Sequence, residues 1–274
     1  MTTLVKRTVF GAIYVAIIVL ACLVGVPYCF GAIFLTLSVM SVHEFCHITH
    51  TPLLQTICSM LLTACLFCLG WEMNAMVKIE PTVIFSLLYI IILIISIVTV
   101  LFQQETKALE VWGNLLIGQL FIAFPFFLMN ILITKPYLLL ALFIVIWIND
   151  TGAYCVGSLI GKHKMIPRVS PGKTWEGLVG GIVFGMAAGY LLFADPLHWT
   201  GLNYGVWESL ILSFVIVVFG TLGDLIESLI KRNLGIKDSG NVLPGHGGFL
   251  DRFDSVLLAT VAMSLTLLIF KGMF

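Results

Sequence analysis

Charged residues are scarce in this chain. Lysine and arginine number 14, aspartate and glutamate number 14, and together they make up only 10% of its 274 residues. The net charge of zero argues against the basic surface that nucleic-acid-binding proteins present. Hydrophobic residues account for 60% of the sequence and the mean hydropathy is +1.10, whereas soluble domains contain roughly half apolar residues. The composition therefore excludes an ordinary soluble domain and favours a membrane protein.

The cysteine pattern excludes a disulfide framework. The seven cysteines are scattered along the chain, most of them inside apolar runs, whereas a framework needs an even and regularly spaced set. Cys65 and Cys68 form a Cys-x-x-Cys motif, but the motif lies in an apolar run and has no second pair of ligands. Packing in a hydrophobic core is the favoured interpretation of these two residues.

Long apolar runs predict an all-α polytopic membrane protein with about nine transmembrane helices. Their approximate bounds are Val9–Val26, Tyr28–Val42, Leu54–Leu69, Thr82–Phe102, Val111–Ile133, Tyr137–Ile148, Gly177–Phe193, Trp207–Ile230 and a last run from Asp251 or Phe253 to Phe270. The sixth run is shorter than the ~20 residues that a membrane crossing needs. If it continues to Ile160, the polar segment 149–152 falls inside the span.

The basic residues predict the orientation of the helices. With nine spans and a cytoplasmic N-terminus, only Lys78, Lys135 and Lys271 of the 14 basic residues fall on the outer side. Cytoplasmic loops are normally enriched in lysine and arginine. We therefore expect a cytoplasmic N-terminus, with the loop 161–176 and the segment 223–254 on the cytoplasmic side.

Segment 223–254 is the exception to the scarcity of charge, although it lies between two apolar runs. Its charged residues are Asp224, Glu227, Lys231, Arg232, Lys237, Asp238, Asp251, Arg252 and Asp254. Charge is costly near a bilayer, so this concentration indicates a functional site. A purely structural network of ion pairs is the alternative.

The spacing of the carboxylates in this segment predicts that they lie on one face of the eighth helix and on one face of the last helix. Four polar side chains share one face of the predicted eighth helix: Asp224, Glu227, Ser228 and Lys231. Asp251 and Asp254 are three residues apart at the start of the last helix. Asp224 and Asp251 are therefore expected at the ends of adjacent helices, where they would suit Mg²⁺, which prefers oxygen ligands and keeps waters or phosphates as its other ligands.

The loop 169–177 contains Gly172-Lys173-Thr174, but it does not match a phosphate-binding P-loop. Position 167 is proline where that motif needs glycine, and we expect no strand before it. Lys173 and the first amides of the seventh helix remain a candidate anion site. The alternative is a solvated interfacial loop anchored by Trp175.

His43-Glu44-Phe45-Cys46-His47 has the form His-Glu-x-x-His, with His50 three residues further on. In zinc proteases the two histidines bind the metal and the glutamate acts as a base. No separate third ligand is evident, so an intramembrane zinc protease is kept as an alternative. Polar residues at a helix exit are the simpler explanation.

Three segments of the C-terminal half resemble phosphatidate cytidylyltransferases, also called CDP-diacylglycerol synthases. The run from Ser228-x-Ile230-Lys231-Arg232 through Lys237-Asp238-x-Gly240 to Leu243-Pro244-x-His246-Gly247-Gly248-Phe249-x-Asp251-Arg252-Phe253-Asp254 follows the signature of that family throughout. The segments Trp147–Tyr154 and Ser170–Gly177 are similar to the same family. Many members have lysine at the position of Gly172.

The resemblance implies that the chain joins CTP and phosphatidic acid to give CDP-diacylglycerol and pyrophosphate, with Mg²⁺ and possibly a second, monovalent cation. On that basis the expected metal ligands are Asp224 and Asp251, with Asp150 as a helper. The expected catalytic residues are Asp224, Asp251, Lys231 and Arg252. The expected substrate-binding residues are Ser170, Lys173, Ser228, Arg232, Lys237, Asp238, His246, Gly247 and Gly248.

The resemblance also implies a homodimer in contact with membrane lipid, and the compact chain favours a bacterial inner membrane. We expect residues 1–134 to form an N-terminal set of about five spans and residues 135–274 to form the catalytic region. An ion-coupled transporter using Asp150 and Asp224 is a further alternative. No internal repeat is evident, which weakens that alternative.

Overall fold

The computed structural model describes residues 3–23, 27–74, 79–102, 107–240 and 247–270. The first five helices are α1 (Thr3–Leu23), α2 (Pro27–Ile48), α3 (Leu53–Asn74), α4 (Ile79–Thr99) and α5 (Ala108–Ile117). They are followed by α6 (Phe124–Ile131), α7 (Pro136–Ile160), strands β1 (Lys164–Ile166) and β2 (Ser170–Thr174), α8 (Trp175–Phe193), α9 (Val206–Asn233) and α10 (Leu250–Ile269).

The predicted fold class is confirmed: the chain is a helical, polytopic integral membrane protein. Among the described residues, eight helices are long and apolar enough to cross a membrane, and residues 108–134 count as one of them. The predicted first span falls on α1, whose described apolar part, Gly11–Leu23, is shorter than the other eight. The cytoplasmic position of the N-terminus stays a prediction.

The structure corrects three details of the sequence-based description. Helix α2 continues to Ile48 rather than ending at Val42, so the His-Glu-x-x-His motif is helical. Helix α7 is continuous over 25 residues, so the sixth apolar run does continue to Ile160, and Asp150 lies in the middle of the helix. The loop 161–176 forms an antiparallel hairpin in which Ile166 pairs with Ser170, so the expectation that no strand precedes Lys173 was wrong.

The contacts divide the chain into two compact units. The first unit is Met1–Thr134 with Asp238–Arg252, and the second is Lys135–Lys237 with Phe253–Phe274. The sequence-based division at residue 134 assigned catalysis to everything that follows. The contacts instead group the segment 238–252 with the N-terminal helices, and the functional part of that division stays a prediction.

A π-helical turn, which is wider than an α-helical turn, joins α5 and α6 in the first unit. Residues Gly118–Ala123 form a π-helix, in which the N–H of Phe124 bonds to the carbonyl of Gln119, five residues back. Pro125 follows at the start of α6, and because proline has no N–H and needs space beside the preceding turn, it favours such an irregularity. The Gln119 side chain donates to the Ser59 hydroxyl at 3.0 Å, which joins this turn to α3.

Glycines allow α8 to pack closely on its neighbours in the second unit. A buried row on α8 recurs every four residues: Gly177, Gly181, Gly185 and Gly189. A Cβ atom at Gly185 would lie 2.5 Å from a methyl group of Val217 on α9, and one at Gly181 would overlap the side chain of Asn149 on α7. Small residues of this kind bring membrane helices into backbone contact. The row therefore fixes the distance of α7 and α9 from α8.

This packing can be tested at Gly189, which lies far along α8 from the hairpin. A Cβ atom there would overlap the side chain of Ser213 on α9. We expect Gly189→Val to destabilise the fold by about 1–3 kcal/mol through overpacking, measured as a lower midpoint of thermal unfolding in detergent. Val183→Leu, on the exposed face of the same helix, is the control. Equal midpoints for both variants would contradict the packing argument.

Candidate functional site

A cavity of about 620 Å³ lies within the second unit, between the hairpin and helices α7, α8 and α9. Its charged lining residues are Asp150, Lys164, Lys173 and Asp224. The sequence predicted three of these four as functional residues. They come from the middle of α7, from strand β2 and from the last turns of α9, so the fold assembles the cavity from distant parts of the chain.

Lys173 and Asp224 form an ion pair across this cavity. The distance from Lys173 Nζ to Asp224 Oδ2 is 2.7 Å, and both side chains are about three-quarters buried. The other oxygen of Asp224, Oδ1, accepts a hydrogen bond from the Ser228 hydroxyl, one turn further along α9, at 3.1 Å. Asp224 is therefore oriented by one charged and one neutral donor.

Asp150 faces the same cavity from α7 and is exposed to it. The side-chain amide of the buried Asn149 donates to Asp150 Oδ1 at 3.2 Å. Asp150 also interacts electrostatically with Asp224 and with Lys173. The repulsion between the two carboxylates is thus offset by Lys173, and Lys164 adds a second positive charge to the lining of the cavity.

Two further carboxylates surround this group in the second unit. Glu227 is buried and forms an ion pair with Lys231, one turn along α9, at 2.8 Å. Asp254, on α10, interacts electrostatically with Asp224, Glu227 and Asp150. Four carboxylates therefore lie near one another in this part of the second unit.

The donor set fits Mg²⁺ that is shared with a substrate. In the part of the chain that the structure describes, no three His, Cys, Asp or Glu side chains are grouped closely enough for a metal site made by the protein alone. Mg²⁺ is commonly held by one or two carboxylates while waters and substrate phosphates complete its shell. Asp150 and Asp224 line one cavity and supply carboxylates of that kind.

The hairpin positions Lys173 through contacts at both of its ends. Thr174 caps α8, because its hydroxyl oxygen accepts from the N–H of Gly177 at 3.1 Å. The carboxylate of Glu176 accepts from the N–H groups of Lys162 and His163 and contacts the His163 ring at 2.6 Å. Lys173 therefore lies on a short strand that is held by hydrogen bonds, rather than in a free loop.

Arg232 also supports the hairpin. Its Nε donates to the Val169 carbonyl at 3.2 Å, and another guanidinium nitrogen donates to the Ile236 carbonyl at 3.1 Å. Ser170 lies on β2 and does not line the cavity. Lys237 and Asp238 are exposed, and the chain passes from the second unit to the first between them. The substrate-binding role expected of these residues stays a prediction.

Asp251 belongs to the first unit, whereas Asp150 and Asp224 belong to the second. Its Oδ2 accepts from the N–H and the hydroxyl of Ser239, at 2.8 and 3.0 Å, and from the N–H of Gly248 at 2.8 Å. Asp251 thus organises the glycine-rich segment of which it is part. Its expected role as a metal ligand stays a prediction.

Gly247, Arg252 and His246 are further residues of this segment that were expected to belong to the site. Gly247 has a positive φ of 80°, a conformation that glycine adopts without strain. The Arg252 carbonyl accepts from the Tyr14 hydroxyl at 3.1 Å. His246 lies outside the described residues, so its expected role stays a prediction.

The His-Glu-x-x-His motif does not have the arrangement of a zinc protease. His43 and His47 are exposed, whereas Glu44 is buried with 7% exposure. Its two oxygens accept from the backbone N–H groups of Phe249 and Leu250, each at 2.9 Å. The carboxylate that would serve as the base of a protease is therefore occupied by the first amides of α10.

Sequence reasoning missed several cavity residues. Ser158 lines the cavity and lies eight residues after Asp150 on α7, so helical spacing alone could have indicated it. Lys164 lies on β1, and it reaches the cavity through the hairpin, which the sequence analysis did not predict. Asn149 and Tyr154 also line the cavity; both lie in the segment Trp147–Tyr154, but the sequence analysis assigned them no role of their own.

The chain is similar in sequence to known proteins over most of its length. The profile of the cytidylyltransferase family matches residues 5–270. The phosphatidate cytidylyltransferase of Staphylococcus haemolyticus is 44% identical over 132 residues, which are 48% of this chain and 49% of that protein. Those of Staphylococcus saprophyticus and Staphylococcus aureus are 46% identical over 134 residues and 43% over 132, again 48% of this chain and 49% of each. The chain spans about half the length of the curated relatives it matches.

The hairpin anchor generates a prediction. Thr174→Val keeps the shape of the side chain but removes the oxygen that accepts from Gly177, and loss of such a cap costs about 1 kcal/mol. We expect a lower midpoint of thermal unfolding for this variant. Thr174→Ser keeps the oxygen and serves as the matched control. If the two variants unfold at the same temperature, the cap does not stabilise the junction.

Proposed function

The chain belongs to the cytidylyltransferase family, whose profile covers nearly its whole length, and on that premise we propose that it transfers the cytidylyl group of CTP to phosphatidic acid. The products are CDP-diacylglycerol and pyrophosphate. The names of the curated relatives support this choice of substrates. The single observation that carries the proposal is the cavity in which Lys173 pairs with Asp224 beside Asp150.

The reaction needs no nucleophile from the protein. An oxygen of the phosphatidic acid phosphate attacks the α-phosphorus of CTP and forms a new P–O bond. The bond between that phosphorus and the oxygen bridging to the β-phosphate breaks, and pyrophosphate leaves with the electron pair. The protein therefore has to align two polyanions and reduce their repulsion, which is how phosphoryl-transfer enzymes generally work.

Lys173 and Lys164 are the side chains proposed to contact phosphates, since both are lysines that line the cavity. Asp224 holds the ammonium group of Lys173 at 2.7 Å, so this charge is oriented before a substrate arrives. A charge fixed in advance stabilises a transition state better than one that must move into place. Ser228 supports the arrangement by its hydrogen bond to Asp224.

Asp150 and Asp224 are the proposed ligands of Mg²⁺, for the reasons of donor chemistry given above. When bound, the ion would neutralise phosphate charge and polarise the α-phosphorus as a Lewis acid. Asp251 is kept as a further ligand and a monovalent cation as a further component, both as proposals from family resemblance. Asp150, Asp224 and Asp254 lie close enough to repel one another, and a bound cation would reduce that repulsion.

The remaining expected residues are proposed on family resemblance. Lys231 and Arg252 are proposed to assist catalysis, and Arg232, Lys237, Asp238, His246 and the glycines at 247 and 248 to bind substrate. We also propose a homodimer in a bacterial inner membrane, with the site on the cytoplasmic face. The bacterial origin of the relatives and the apolar helices support the location.

The activity is tested with the purified full chain, labelled CTP and vesicles that contain phosphatidic acid, with CDP-diacylglycerol as the measured product. We expect Asp224→Asn to lower kcat/KM by about 100-fold or more, because it weakens the hold on Lys173 and removes a negatively charged ligand. Glu110→Gln removes an exposed carboxylate outside the cavity and is expected to keep full activity. Normal turnover by the Asp224 variant would exclude that residue from the site.

The metal proposal has its own test. Chelation with EDTA should abolish product formation, and added Mg²⁺ should restore it. Asp150→Asn is expected to raise the Mg²⁺ concentration needed for half-maximal activity by about tenfold, since carboxylate charge contributes to affinity. Activity that persists in EDTA, or an unchanged Mg²⁺ requirement in the variant, would contradict the assignment.

A further inference from the structure

The glycine-rich segment is anchored from a distant helix. Its described parts are residues 239–240 and 247–250, which flank positions 241–246. Both flanks are bonded to buried carboxylates, one from Asp251 close by in sequence and one from Glu44 on α2. All of these residues belong to the first unit.

Glu44 accepts two backbone hydrogen bonds from this segment and lies within hydrogen-bond distance of a hydroxyl that it shares with Asp251. Its Oε1 accepts from the N–H of Phe249 at 2.9 Å, and its Oε2 accepts from the N–H of Leu250 at 2.9 Å. The Ser239 hydroxyl lies 3.2 Å from the same Oε2. The first two amides stand at the beginning of α10, where backbone N–H groups have no partner inside the helix. A carboxylate is the favoured acceptor there because it also matches the helix dipole.

The serine joins the two carboxylates. Ser239 lies 3.0 Å from Asp251 Oδ2 through its hydroxyl, and its N–H donates to the same oxygen at 2.8 Å. Since one hydroxyl has one proton, it bonds to Glu44 or to Asp251 at any moment. The flank before position 241 is thus tied to the flank after position 246 by a shared set of acceptors.

Glycine is required where Glu44 approaches the segment. A Cβ atom at Gly240 would lie 2.9 Å from Glu44 Oε1, and one at Gly248 would overlap Glu44 Oε2. The backbone therefore packs directly against the carboxylate on both flanks. A contact this close fixes the position of the segment as well as satisfying its N–H groups.

We infer that Glu44 is a positioning residue, which acts from α2 by holding both flanks of the segment 239–250 in place. The consequence for turnover rests on the proposed function, in which this segment is expected to bind substrate. Glu44 acts through the backbone of the segment and is not assigned a contact with substrate. Fixing Ser239, Gly240 and residues 247–250 in advance is preorganisation, which lowers the entropic cost of binding.

The test separates the anchoring from its catalytic consequence. Glu44→Gln keeps the size of the side chain but removes its charge and replaces one acceptor oxygen by a donor. We expect backbone hydrogen exchange in a peptide covering residues 247–252 to become about tenfold faster, with no change in a peptide from the middle of α10. In the transferase assay we expect kcat/KM for CTP to fall by about tenfold or more.

Matched variants complete the experiment. His47→Gln alters an exposed residue on the same helix and should change neither exchange nor kinetics. Glu44→Asp keeps the charge but shortens the reach, so its exchange and kinetics should lie between wild type and Glu44→Gln. Ser239→Ala removes only the shared hydroxyl and provides a milder variant if Glu44→Gln does not fold.

Two results would overturn the inference. One is unchanged exchange over residues 247–252 in Glu44→Gln, which would show that the carboxylate does not hold the segment. The other is faster exchange with unchanged kcat/KM, which would show that the anchor has no role in turnover. A wild-type chain that forms no product would count against the proposed function instead, and the exchange measurement would still decide whether Glu44 anchors the segment.

Discussion

A charge placed among membrane helices needs a partner of opposite sign, and the ion pair between Lys173 and Asp224 meets this requirement in the second unit. Removing one partner of a buried pair leaves the other uncompensated, at a cost of several kcal/mol, although partial solvation of this pair reduces that cost. Because Lys173 comes from the hairpin and Asp224 from α9, the pair also joins elements about 50 residues apart. The position of the proposed catalytic cavity depends on this contact.

The helices around the ion pair approach one another closely. The glycines of α8 let the backbone of α7, with Asp150, and the backbone of α9, with Asp224, come near the same helix. Larger residues would separate these helices and lengthen the distance between the charges. The packing of α8 against α7 and α9 therefore contributes to the distances at which the carboxylates and lysines interact.

The sequence was sufficient to predict the parts of the structure that follow from hydropathy and from the scarcity of charged residues. Apolar runs predicted the spanning helices, and the concentration of charge in segment 223–254 indicated Asp224. The loop 169–177 indicated Lys173, and the family resemblance indicated Asp150. All three residues line the cavity. The sequence was insufficient for the hairpin, because strands of three and five residues are too short to show a reliable alternation. Lys164 was missed for that reason, since only the hairpin brings it to the cavity.

The His-Glu-x-x-His motif of α2 shows that a sequence motif can be present while its residues have a role other than the one typical of that motif. Its glutamate, Glu44, is the example. In a helix, residues four apart share a face, while neighbouring residues are turned by about 100°. His43 and His47 therefore share one face in any protein with this motif, and the rotation of the helix decides what that face meets. Here the histidines are exposed, and Glu44 is directed to the amides of Phe249 and Leu250. Those amides lie about 200 residues further along the chain, so no local pattern could have indicated the contact. The tertiary fold, rather than the motif, determines the chemistry of this glutamate.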